Sequence, residues 1–466
     1  MELLIPLDSR SKKPLYEQIY SHICAEIRSG ALKAGDRLPS TRVLAEHLKV
    51  SRSTTQMAYD QLLAEGYMES RPCRGYFVSH LDELVETGPS GAEEMETTAE
   101  PDAGWRVDFS PRGIDLDSFP YHVWRKLSRN TLVDDNKEMF HSGNHQGEPG
   151  LREAIRSYLH SARGVNCSPE QIIVGAGSEY LLMLLSQILE GKHVIAMENP
   201  TYKQAYRVFR SLDYEVCPVE MDANGMEPEL LTRSGANVAY VMPSHQFPTG
   251  VVMPVGRRQE LLKWAVEAPD RYIIEDDYDS EFRYRGKPIP ALQGMDRSGR
   301  VIYLGTFSKC IAPAIRVSYL VLPTHLLLRY RSQTSFYAST VSRIDQNILY
   351  QFLAGGYFER HLNRMRAVYK TKHDLLVEQI ESLRERFEIR GEHAGIHILL
   401  TSRQGESEEQ LIQKAEEAGV KGYGLSSYFI HPQHNHRPAT VVLGYASLSE
   451  EQIVEGIRLL MECWGA

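Results

Sequence analysis

Cysteine is scarce in this chain of 466 residues, and what there is does not cluster. Cys24, Cys73, Cys167, Cys217, Cys310 and Cys463 form no CxxC pair and have no neighbouring histidine group, which excludes a disulfide framework and a zinc site and predicts buried, reduced thiols. Long apolar runs are also missing. None approaches the roughly 18 residues that a membrane helix needs, and the start, Met1 to Arg10, reads as acidic and polar with no signal-peptide pattern. A protein that stays in the cytoplasm is expected. With 42% hydrophobic and 24% charged residues the chain can bury a core, and its length calls for two or three domains.

Net charge is unevenly spread. The whole carries −9, but residues 1–80 hold 11 Lys/Arg against 9 Asp/Glu, net +2, leaving 41 against 52, net −11, for the rest. An acidic body discourages nonspecific nucleic-acid binding by the whole molecule, yet permits a DNA-reading head. Between Leu81 and Gly104 there is no Lys or Arg, and eight carboxylates stand among Gly88, Pro89, Gly91 and Pro101. Such a composition cannot repay ordering by burial and predicts an extended linker, so the expected division is 1–80, 81–104 and 105–466.

Upstream of that boundary, Leu15, Ile19, Ile23 and Ile27 recur every four residues after Pro14, predicting an amphipathic helix that ends near Gly30. Ser40 suits the cap of a second helix with Leu44 and Leu48 inward, and Ser51 that of a third with Ala58, Leu62 and Leu63 inward, stopped by Gly66. Tyr67 to Val78 then reads as two short strands around a Pro/Gly turn. Helix, helix, turn, helix, hairpin is a winged helix-turn-helix. Its third helix suits the major groove, with Arg52, Ser53, Thr54, Thr55 and Gln56 near its start after the capping Ser51. Arg42 suits a phosphate clamp, and Arg71 and Arg74 in the wing suit the minor groove. For each arginine an ordinary solvated charge on a protein-binding winged helix is the other reading. The runs Leu38-Pro39-Ser40-Thr41-Arg42, Val50-Ser51-Arg52, Leu62 to Tyr67 and Arg74 to Val78 resemble the GntR-type winged helix over residues 8–80.

From about Trp105 onward strand-like and helical stretches alternate, for instance Ile172 to Val174, a Gly turn, then a helix from near Tyr180 to Leu189, predicting an α/β body with a largely parallel sheet. The most specific stretch is Gly305 to Arg316 behind the apolar Val301 to Leu304. It offers an amine in Lys309, hydroxyls in Thr306 and Ser308, and a bidentate cation in Arg316. A second buried run, Tyr272 to Phe282, ends in carboxylates. These are the groups that pyridoxal phosphate demands: an amine for a Schiff base with its aldehyde, a cation and hydroxyls for its phosphate, an acid for its ring nitrogen. Asp276 is the acid chosen and Tyr278 the partner for the ring's phenolic oxygen, against a calcium-type acidic loop as alternative, which lacks its Gly spacing. Gly177, Ser178 and Glu179 lead into a helix whose backbone N–H groups suit the phosphate. Tyr202 suits stacking on the ring, or is a core tyrosine, and His245 or Gln246 stands at another strand end.

In this order and behind that winged helix, the motifs resemble the MocR/GabR family of regulators over nearly the whole chain. The resemblance implies a fold-type I aminotransferase body that binds pyridoxal 5'-phosphate through Lys309, Asp276, Tyr278, Tyr202 and Arg316. It also implies a head-to-tail homodimer, operator DNA as partner, and a small amine, amino acid or the cofactor itself as signal. The implied protein is bacterial and nucleoid-associated when on DNA. Departures from the pattern bear on the chemistry. Gln204 stands where the GABA-responsive member has arginine, which argues against GABA as effector, and Arg437, before Val441 to Ala446, remains a candidate for a second carboxylate contact. Phe247 replaces the asparagine common before Pro-Thr-Gly in aminotransferases, and Ser142 a tyrosine. Sensing is therefore expected over full transamination, with a working aminotransferase bearing an accessory winged helix as the alternative.

Overall fold

The structure is a computed structural model. It describes the chain except residues 1–2, 4, 9–10, 12, 81–103, 134–136, 285–288, 392–393, 432–437 and 466. The expected linker, apart from Gly104, and the expected contact Arg437 lie outside the described residues. The chain divides into two compact units, Met1–Pro101 and Asp102–Ala466.

In the first unit α1 spans Leu15–Arg28 and buries Ile19, Ile23, Cys24 and Ile27, each isoleucine contributing about 1.5–3 kcal/mol of burial. Helix α2 is Thr41–Leu48 and α3 is Arg52–Ala64. Ser40 accepts the Val43 N–H and Ser51 the Thr54 N–H, so both expected caps form. Strands β2 (Met68–Arg71) and β3 (Gly75–Val78) make the hairpin. A third strand that sequence reasoning missed, β1 (Arg37–Leu38), pairs antiparallel with β3. Two residues were too few to show a period. The start of the chain also departs from its polar reading: Leu3 and Ile5 are buried in the winged-helix core beside Ile19 and Leu62. The thiols are not uniformly buried either, since Cys73 is exposed at the wing turn, with φ at +59°.

The second unit is built on an eight-stranded sheet. In spatial order it runs Ile172–Gly175, Ser318–Val321, Val301–Thr306, Tyr272–Asp277, Val238–Val241, Val194–Asn199, Glu215–Asp222, Gly225–Met226. The five strands from Val301–Thr306 to Glu215–Asp222 are mutually parallel, whereas Ser318–Val321 runs antiparallel to both neighbours. Both faces are covered, which is why these strands read as continuous apolar runs. Tyr272 and Ile274 enter one core cluster and Ile273 another. A smaller antiparallel sheet of Phe387–Arg390, His397–Ser402, Thr440–Gly444 and Tyr423–Gly424 follows, packed with the helices Tyr357–Gln379 and Glu450–Trp464 around Phe387, Leu443 and Trp464. Among the described residues no helix is long and apolar enough to cross a membrane, and no cluster of ligating side chains could hold a metal.

Candidate functional site

Ligand sites in open α/β sheets form beyond the carboxyl ends of parallel strands, and here the chemistry converges there. Gly177 and Ser178 follow Ile172–Gly175, Tyr202 follows Val194–Asn199, Tyr278 follows Tyr272–Asp277, and Lys309 follows Val301–Thr306. Arg316 precedes the antiparallel Ser318–Val321, which brings it to the same edge. The resulting cleft encloses about 910 Å³ including its open mouth, and Ser178, Glu179, Tyr202, Asp276, Tyr278, Thr306, Ser308, Lys309 and Arg316 all line it.

Strand alternation explains why one acid of three faces the cleft. Glu275 points away and accepts the N–H groups of Leu292 and Gln293, both at 2.8 Å. Asp277 also points away, paired with Arg163 at 2.7 Å and bonded by the Tyr303 hydroxyl. Asp276, between them, turns to the cleft and accepts the Tyr240 hydroxyl. Burial pushes its carboxyl up to about 7, with the Tyr240 bond opposing and the charges of Asp277 and Asp279 assisting. It is a carboxylate short of a cation.

Lys309 lines the same space, half-buried. Burial pushes its amine down to about 8; the Asp279 carboxylate opposes this and the Arg112 charge adds to it. Its Nζ donates to the Arg112 carbonyl oxygen at 2.7 Å.

The helix Ser178–Ile188 begins two residues earlier than sequence reasoning placed it, with Gly177 as its cap at φ +94°. Arg316, itself left-handed at φ +51°, passes over that cap, so a Cβ at Gly177 would sit 2.3 Å from its Nη2. Arg316 pairs with the Glu179 carboxylate at 2.8 Å. Glu179 was expected to contribute only its backbone N–H, and its side chain therefore competes for the guanidinium. Thr306 receives hydrogen bonds from Ser308 N–H and the Ser318 hydroxyl, which ties it into the loop, whereas the Ser178 and Ser308 hydroxyls have no partner among the described residues.

His245 lies behind Tyr278, its Nδ1 2.8 Å from Asp279 Oδ2 and 3.0 Å from the Tyr278 hydroxyl. Gln246 is spent on the turn, donating to Pro200 O and accepting from Thr249. Sequence reasoning missed Arg112, Tyr240, Met242 and the contact of Phe247 with Tyr202 at a ring separation of 6.1 Å. Arg112 carried no motif, and Tyr240 looked like any strand aromatic.

On the winged helix, Arg52, Ser53, Arg42 and Arg74 are exposed. Arg42 pairs with Glu46 at 3.2 Å on a solvated face. Ser51 and Thr54 share a hydroxyl bond of 2.7 Å at the start of α3, with Ser53 also 2.7 Å from Ser51. Thr55 does not face outward as expected. It is buried and donates to Thr41 O, clipping α3 to α2. Arg71 is paired with Glu69 at 2.6 Å and lies 4.5 Å over the Phe77 ring.

The two units match two known families. Residues 15–78 match the bacterial regulatory proteins of the gntR family, and residues 115–453 the class I and II aminotransferases. Among solved structures, a multiple substrate aminotransferase from Thermococcus profundus superposes with a TM-score of 0.68 at 28% identity, over 77% of this chain and 90% of that one. The chain is thus a transcriptional regulator built from a GntR-type winged helix and an aminotransferase-fold body. It belongs to the MocR-type regulators. It is 40% identical to YdeL of Bacillus subtilis, an uncharacterized HTH-type transcriptional regulator, over 97% of both chains. It is 35% identical to the probable rhizopine catabolism regulatory protein MocR of Rhizobium meliloti, over 98% of this chain and 95% of that one. To the pyridoxine biosynthesis regulator PdxR of Corynebacterium glutamicum it is 32% identical over 92% of both.

Proposed function

We propose that this regulator holds pyridoxal 5'-phosphate in the body and reads a small amine or amino acid there, changing how a head-to-tail homodimer grips operator DNA in the bacterial cytoplasm. The observation that carries the reading is the convergence in one cleft of Lys309, the cation-seeking Asp276 and the Arg316 guanidinium at a helix amino terminus.

The residues fit the cofactor. Gly177 leaves room for Arg316 beside the free N–H groups of the helix start, a cradle for a dianionic phosphate that any Cβ would fill. Ser178 and Ser308 have hydroxyls to spare for it. Asp276 is suited to hold a proton on the ring nitrogen, because a cation beside it relieves the cost of its burial. Tyr202 and Phe247 would supply apolar walls, and Tyr278, whose hydroxyl lies 3.0 Å from His245 Nδ1, would donate to the phenolic oxygen of the ring. When bound, the cofactor supplies an aldehyde that takes up amines and a ring that withdraws electrons.

Lys309 with its amine lowered to about 8 keeps an unprotonated fraction at neutral pH, which both covalent capture and release to a competing amine require. An effector that takes Lys309's place frees the lysine, and differential binding between two arrangements of the protein then shifts DNA affinity. The same lowered amine favours a second reading, a working aminotransferase, since a proton-transferring lysine needs it too. Titration of the cofactor-loaded protein with amines, following visible absorbance, operator affinity and keto-acid release together, separates the two. Absorbance and DNA affinity changing without accumulating keto acid supports the sensor; catalytic keto acid with unchanged DNA binding overturns it.

A further inference from the structure

Among the described residues three cations line the cleft, and two are engaged. Arg316 pairs with Glu179, and Lys309 donates to the Arg112 carbonyl. The third, the Arg112 guanidinium, has no hydrogen-bond or ion-pair partner among the described residues. It belongs to the segment after the strand Val107–Asp108 and lines the cleft together with Lys309 and Arg316. Its charge is felt at Tyr202 and Tyr428, whose hydroxyls burial pushes up to about 12 against it. Tyr428 in turn packs against Phe247 at a ring separation of 5.2 Å.

We propose that Arg112 is the specificity-determining residue of the cleft and receives the carboxylate of an amino-acid effector whose amine takes the place of the Lys309 Nζ. The proposal rests on the sensor reading above. Because the Lys309 nitrogen stands 2.7 Å from the backbone oxygen of Arg112 itself, an amine at that point has the guanidinium within one side-chain length. Tyr202, Phe247 and Tyr428 form an apolar-faced wall beside it, which suits a short carbon chain joining amine to carboxylate. A planar guanidinium open to solvent matches a carboxylate in a bidentate pair and gives an amine without one nothing to hold. Gln204 on the neighbouring helix Lys203–Ser211 is neutral, so it adds no second cation to compete for the anion.

The test compares each amino acid with its own decarboxylated amine: L-alanine with ethylamine, L-norvaline with butylamine, and GABA with propylamine. For wild type, Arg112→Gln and Arg112→Lys, all loaded with pyridoxal phosphate, it reads the ligand concentration that half-shifts the visible absorbance. Wild type is expected to prefer at least one acid over its amine by about tenfold or more, the ratio to fall toward one in Arg112→Gln, and part of it to survive in Arg112→Lys. An unchanged ratio in Arg112→Gln overturns the assignment while leaving the sensor reading intact. A wild-type protein whose absorbance answers to no amine overturns both.

Discussion

Arg316 and Gly177 compete for one volume: a methyl group on the glycine would lie 2.3 Å from Nη2 and 2.8 Å from Cζ of the arginine. At φ +94° any side chain is also strained there, at about 1–3 kcal/mol. Gly177→Ala is therefore expected to weaken pyridoxal phosphate binding about tenfold or more while the winged helix melts unchanged. An equilibrium absorbance titration checks it, and wild-type affinity in the variant contradicts the cradle.

The Asp276 carboxylate yields a stability prediction with a definite sign. Its folded value near 7 lies above the ordinary range for aspartate, so folding favours the protonated form. That stabilisation is complete below about pH 4 and is lost as pH rises through about 7. In protein free of cofactor, Asp276→Asn should raise stability at pH 8 by on the order of 2 kcal/mol and change it little at pH 4. In cofactor-loaded protein it should lower stability instead, because the variant lacks the carboxylate proposed to face the ring nitrogen. Thermal melts at the two pH values, with and without cofactor, check both.

Lys309 shifts the other way. Burial lowers its amine to about 8, below the ordinary lysine range, so the folded protein binds fewer protons than the unfolded chain between about pH 8 and pH 10. The penalty for burying the charged form is present below pH 8 and fades as pH rises. Capture of pyridoxal phosphate should accelerate with a midpoint near pH 8, measured by stopped-flow absorbance. Lys309→Ala should lose the visible band with its circular dichroism intact, and retention of that band would rule out Lys309 as the covalent partner.

On the winged helix the capping serine and the exposed arginines lead to different expectations. Ser51→Ala removes the α3 cap and should cost about 1 kcal/mol in the melting of that unit. Arg52→Gln and Arg74→Gln, both exposed, should weaken operator binding with a shallower salt slope and unchanged melting. Arg71→Gln should do less to DNA and more to the wing, since Glu69 and Phe77 hold that side chain.

Periodicity and turn chemistry made much of this legible. The isoleucines of α1, the two serine caps and the carboxylate-ended strand each follow from a local rule, and the structure has them where those rules put them. What stayed hidden depended on distant partners. Arg112 reaches Lys309 across 197 residues of sequence, and Tyr240 meets Asp276 from the adjacent strand. Thr55 sits among residues that suit a DNA-facing helix start, and only its bond to Thr41 explains its burial. The pairing of Glu179 with Arg316 was equally invisible, because it needs the loop Pro313–Ile315 to turn Arg316 back over the helix start.

We propose that one cleft couples an amine to DNA. The direct measurement is operator affinity of the cofactor-loaded protein with and without a saturating amine, for wild type and Lys309→Ala side by side. The amine is expected to change wild-type affinity and to leave Lys309→Ala unresponsive. Equal responses in both, or none in wild type with any amine that shifts its absorbance, would contradict it.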